Sequence, residues 1–130
     1  MTMEIHTVTL DCARPHELAA WWHDVLGWRL VEWAPDDDEV MLERPDGPPH
    51  VLFIKVPEGK TVKNRIHLDL MPTEGRTRDE EVERLLKLGA TLHGDFRRPD
   101  GTGWVTLLDP EDNEFCVCRS EQERAATSPA

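Results

Sequence analysis

Basic residues are the minority in this chain: 15 Lys and Arg stand against 26 Asp and Glu, a formal net charge of −11 over 130 residues. A polyanion would be repelled by such a chain, which argues against nucleic acid as a partner and equally against an anionic membrane surface. Cysteine is scarce as well. Cys12, Cys116 and Cys118 make an odd count without a CxxC pair, so neither a disulfide framework nor a zinc ribbon is indicated. No stretch approaches the roughly 18 apolar residues of a membrane-spanning helix, and no apolar run near Met1 resembles a signal peptide. Reduced thiols and a cytoplasmic location are the expectation.

What the chain does contain is one pattern written twice. From His6 to Glu58 the order is strand, a helix ending in Leu26-Gly27, a strand, the segment Leu42-Glu43-Arg44-Pro45, and a further strand. From Arg65 to Ser120 a strand at Ile66 to Leu70 leads to a helix ending in Leu88-Gly89, a strand, the segment Leu107-Leu108-Asp109-Pro110, and a last strand. Matching landmarks recur at nearly constant offset, as a duplicated module with small loop differences requires. The size suits one domain, residues 1–120, built of modules 4–58 and 65–120, with 121–130 as a flexible C-terminal tail.

Periodicity assigns the elements. Val8 and Leu10 alternate with Thr7, Thr9 and Asp11, as in a half-buried strand, and Pro15 suits a first helical turn that carries Leu18, Trp21, Trp22 and Val25 at helical spacing. Trp28 to Trp33, Glu39 to Leu42 and the apolar run Val51 to Val56 read as strands. Asp79 to Leu88 places Val82, Leu85 and Leu86 on one helical face, and Gly103 to Leu108 and Glu114 to Cys118 are the last strands. Two helices against about eight strands make an α+β protein.

The doubled unit, with Leu-Gly after each helix and Asp109-Pro110-Glu111-Asp112-Asn113 before the last strand, resembles the vicinal oxygen chelate superfamily. That group includes glyoxalase I, fosfomycin and bleomycin resistance proteins and extradiol dioxygenases. More narrowly, Leu18-Ala19-Ala20-Trp21-Trp22, Val56-Pro57-Glu58 and Lys63-Asn64-Arg65-Ile66-His67-Leu68-Asp69-Leu70 are similar to the glyoxalase-like proteins frequent in actinobacteria. The resemblance implies two βαβββ modules in tandem, a curved eight-stranded mixed sheet around a central cavity, a homodimer, and a small organic molecule as ligand. In metal enzymes of the group, the first and last strand of each module supply one His or Glu ligand each.

Here the first-strand position of the second module is His67, with Asp69 on the same face by alternation. The first module offers Thr7 and Thr9 at the matching places, while His6 points the other way unless a bulge shifts the register. The last strand of the second module offers Cys116, with Glu114 and Cys118 on its face, and its counterpart offers only Leu52, Phe53 or Ile54. Thr7, Thr9, His67, Asp69, Trp104, Glu114 and Cys116 are the candidate cavity residues, and Trp33 and Trp104 are candidates for stacking on a flat ligand. Two functions lead, beside a blander third, an interaction partner whose cavity is vestigial. One is a metal-independent binding protein of the resistance type, since the full ligand quartet is missing. The other is a lyase, isomerase or dioxygenase in which His67, Glu114 and Cys116 hold a divalent zinc, nickel, iron, manganese or copper ion. A Cys116 nucleophile activated by His67 is a third, lesser chemistry.

Overall fold

In the computed structural model, residues 2–31 and 34–126 are described, and they carry eight strands and three helices. The first module runs β1 (Thr7–Cys12), α1 (Pro15–Leu26), β2 (Arg29–Leu30), β3 (Glu39–Glu43) and β4 (His50–Lys55). The second runs β5 (Leu68–Leu70), α2 (Arg78–Lys87), β6 (Thr91–Asp95), β7 (Val105–Leu108) and β8 (Glu114–Val117), followed by α3 (Glu121–Ala126). The strands are distributed as two four-stranded mixed sheets of identical plan, β1-β4-β3-β2 and β5-β8-β7-β6. In each, the first strand lies parallel to the last and the other neighbours are antiparallel. The chain divides into two compact units at Gly59, one per module.

Helix α1 begins at Pro15, whose missing N–H costs nothing in a first turn, and ends at Gly27, whose φ of 70° lets its N–H reach the His23 carbonyl at 2.8 Å. Its buried stripe, Leu18, Ala19 and Trp22, meets Val40 and Leu42 of β3 and Val51 and Phe53 of β4 in the core of the first unit. Of the two indoles expected in that stripe only Trp22 is buried; Trp21 is half-buried and packs edge-on against it, ring centroids 5.2 Å apart.

Helix α2 starts with a reciprocal cap: the Thr77 hydroxyl accepts from the Glu80 N–H, and the Glu80 carboxylate accepts from the Thr77 N–H. Such a cap stabilises a helix by about 1 kcal/mol. Val82 and Leu85 are buried, as are Val105 and Leu107 of β7 and Phe115 and Val117 of β8. Each large apolar side chain so buried contributes about 1.5–3 kcal/mol.

Three sequence expectations are redrawn. Of the strand expected over Trp28 to Trp33, Arg29–Leu30 is formed among the described residues, and Glu32 and Trp33 lie outside them. The first strand of the second module begins at Leu68, so Ile66 stands outside it and is 79% exposed instead of packing beneath the helix. Residues 121–126, expected to fray, form α3 because Glu123 accepts from the Ser120 N–H and from the Arg78 N–H, both at 2.8 Å, and so joins the helix to the start of α2.

Candidate functional site

Register builds the site. Asp69 pairs with Cys116 across β5 and β8, Cys116 with Thr106 across β8 and β7, and Thr106 with Gly94 across β7 and β6. Side chains two residues apart share a face, so His67, Glu114, Cys118 and Trp104 join this row on the side opposite the α2 core. On that face lies a groove of about 800 Å³, and among the described residues its lining belongs to the second unit.

The groove floor is a coupled cluster. The His67 Nδ1 lies 2.8 Å from Asp69 Oδ1 and 3.9 Å from Cys116 Sγ, and the Thr106 hydroxyl lies 3.4 Å from the same sulfur. With Nδ1 held by the carboxylate, the ring presents Nε2 as its remaining donor or acceptor. One donor atom from each of His67, Asp69 and Cys116 falls within 4.8 Å of the others. Burial pushes the Cys116 thiol upward, and the nearby Asp69 carboxylate and Cys118 add to this against a smaller downward pull from the Thr106 hydroxyl. A protonated thiol is a poor nucleophile, so the environment works against the activated cysteine that the sequence left open.

Glu114 has a different occupation. Its Oε1 accepts from Lys60 Nζ at 2.8 Å and its Oε2 from the Asn64 N–H at 2.7 Å. Turned the right way, the Asn64 amide adds bonds of 3.3 Å to the Glu114 carboxylate and N–H. Burial alone would raise this carboxyl, but the Lys60 ammonium and the Asn64 N–H outweigh it and hold the acid below its ordinary range. Glu114 thus fastens the 60–64 segment to β8, and Asp69 is the carboxylate beside His67 and Cys116.

Beside this floor the groove is aromatic. Trp104 stacks on Phe96 with centroids 5.1 Å apart and planes 27° from parallel, and Arg98 lies over the indole at 6.0 Å. Two glycines permit this. A β-carbon on Gly94 would sit 2.7 Å from the Phe96 ring, and one on Gly103, at φ +93°, would collide with the Phe96 carbonyl. Buried Arg78 fixes the connecting loop by donating to the carbonyls of Gly101, Thr102 and Gly103 at 3.0–3.3 Å.

The structure therefore brings His67, Asp69, Trp104, Glu114 and Cys116 to one face, as alternation predicted for His67 with Asp69 and for Glu114 with Cys116. Thr7 and Thr9 stand on β1 of the first unit, opposite His50 and Leu52 in the parallel pair. Sequence reasoning passed over Phe96, Thr106 and the cations Lys63, Arg119 and Arg124 of the groove. The alternation Thr106, Trp104 was a usable signal for the threonine; the arginines follow the last strand, where no motif marks them.

Residues 7–118 match the family model of the glyoxalase-like domain. Among solved structures, a glyoxalase/bleomycin resistance protein/dioxygenase family enzyme from Burkholderia phytofirmans is 18% identical, over 88% of this chain and 97% of its own, with a TM-score of 0.67. A fosfomycin resistance protein, FosX, from Mesorhizobium loti is 19% identical over 97% and 99%, with a TM-score of 0.67. A lactoylglutathione lyase from Agrobacterium tumefaciens is 18% identical over 92% and 94%, with a TM-score of 0.63. These likenesses speak for the fold. Comparison with curated proteins finds no match.

Proposed function

Because the chain belongs to the glyoxalase-like domain family, we propose that it binds a small organic molecule in the groove of its second unit, without a complete set of metal ligands. The observation that carries this reading is a groove of about 800 Å³, large enough for a drug-sized molecule, that joins an apolar aromatic wall to a polar floor. Thermal-shift screening of small organic molecules tests it, with Thr106→Trp as the control that fills the floor. Compounds should stabilise the wild type and leave the variant unmoved; equal shifts in both, or none in either, would remove the groove from the function. Metal analysis of the purified protein should find no stoichiometric ion.

A second reading, a metal-dependent lyase, isomerase or dioxygenase, draws on the convergence of His67, Asp69 and Cys116. One sulfur, one nitrogen and one oxygen donor suit zinc or copper better than a hard cation. The fit is partial, because burial favours the protonated thiol and Asp69 already holds the imidazole. A bound ion would supply polarisation of a substrate oxygen, while Asp69 would orient His67. One tightly held ion per chain, lost in His67→Ala, would favour this reading over the first.

The same proposal takes the protein as a cytoplasmic homodimer. Three free cysteines support a reducing compartment, and exposed Val62, Ile66 and Leu92 support self-association. Light scattering at micromolar concentration checks the dimer.

A further inference from the structure

The charge of the groove is the reverse of the charge of the chain. Overall the protein carries −11, yet Lys63, Arg98, Arg119 and Arg124 line the groove against three carboxylates, Asp69, Asp100 and Glu114. Those carboxylates are engaged. Glu114 is neutralised by Lys60, which does not line the groove, Asp69 is bonded to His67, and Asp100 accepts from the Thr102 N–H at 3.0 Å and hydroxyl at 2.6 Å while its charge also feels Arg98, beyond ion-pair distance. Among the described residues, no carboxylate lies within ion-pair distance of Lys63, Arg98 or Arg124.

Neighbouring arginines show what distinguishes these. Arg97, one residue from Arg98, is consumed by Asp95 at 2.6 Å and Asp79 at 3.2 Å. Arg98 instead lies on the face of Trp104, whose other neighbour is the Phe96 ring. A guanidinium beside a stacked pair of rings offers a planar fork for a carboxylate next to a flat apolar surface. Arg124 reaches the groove from α3, a helix anchored by Glu123 to the N–H groups of Arg78 and Ser120, so the cation sits on a fixed support.

Resting on the reading of this groove as a ligand site, we infer that its ligand is a small aromatic acid, the ring packed against the exposed side of the Phe96–Trp104 pair and the carboxylate paired with Arg98 among the surrounding cations. An acidic exterior with a cationic groove favours such an anion at one place only.

Calorimetry with three probes of one ring system tests this: 2-naphthoate, 2-naphthylmethanol and 2-naphthylmethylammonium. Naphthoate should bind at least about tenfold more tightly than either other probe, as a charge-assisted pair implies. Its affinity should fall with added salt, by about tenfold in Arg98→Gln, and by about fivefold in Trp104→Leu. Circular dichroism establishes that both variants are folded. Tighter binding of the alcohol or the ammonium probe overturns the acid assignment while leaving the groove a ligand site. Binding of naphthoate that ignores salt and both substitutions overturns it too. Failure of all three probes to bind also overturns it, and the thermal-shift comparison with Thr106→Trp then decides separately whether the groove binds anything.

Discussion

The two modules share one backbone plan and differ on the sheet face away from the helix. In both, a parallel first-to-last strand pair sits beside two antiparallel neighbours, and a helix covers the apolar side. By the parallel registers, His50, Leu52 and Ile54 of β4 hold the places that Glu114, Cys116 and Cys118 hold in the second module. Opposite them stand Thr7 and Thr9 in one module, His67 and Asp69 in the other. The helix-facing positions, Val51 and Phe53 against Phe115 and Val117, are apolar in both. A duplicated fold thus keeps its core while the opposite face is free to diverge, because only the core carries most of the stability.

The largest effects should come from what the modules share. Phe53→Ala and Phe115→Ala each remove a side chain that is at most 1% exposed, and each should cost about 3–5 kcal/mol in urea unfolding. A cost much smaller in one unit would break the equivalence of the two cores.

The difference between the modules is sharpened next at Glu114. Glu114→Gln leaves Lys60 without its charge partner, both side chains being largely buried, and should cost about 1–3 kcal/mol at pH 7. The folded state holds this carboxyl below its ordinary range. Its contribution is therefore present above the ordinary glutamate pKa and lost as pH falls through the lowered folded value. The gap between wild type and variant should close in urea titrations carried down to pH 3.

Making the second module resemble the first should cost little. Cys116→Val converts the floor to an apolar position like Leu52 and should change stability by less than about 1.5 kcal/mol, while removing the sulfur from the His67 cluster. The smallest effect is chemical. At pH 8, Cys116 should react with iodoacetamide more slowly than a thiol of the unfolded chain, since burial foremost and the Asp69 charge after it favour the protonated form. Asp69→Asn should speed that reaction, and a slower rate would contradict the electrostatic account.

Much of this was legible in the residues, because alternation and helical spacing are local. The facing of His67 with Asp69, and of Glu114 with Cys116 and Cys118, followed from a period of two, and Gly27 and Gly89 marked where the helices stop. Element ends were less legible: Ile66 has the composition of a strand residue but lacks a partner strand, and the tail from Glu121 gained a helix only through the contact of Glu123 with the start of α2. Nor did the sequence tell which cations enter ion pairs. Arg97 and Arg98 are adjacent and chemically identical, yet Asp79 and Asp95 take one and Trp104 the other.

By itself, then, the sequence determined the doubled βαβββ order, the apolar faces and the family, since these rest on spacing within short segments. Tertiary structure alone decided that Glu114 serves as a clamp, that Asp69 joins His67 and Cys116, and that Lys63, Arg98, Arg119 and Arg124 of an acidic chain line one groove. Those outcomes depend on pairings such as Lys60 with Glu114, groups that only chain folding brings to 2.8 Å, and electrostatic energy depends on distance in space and exclusion of water, neither of which is written in the spacing of residues along the chain.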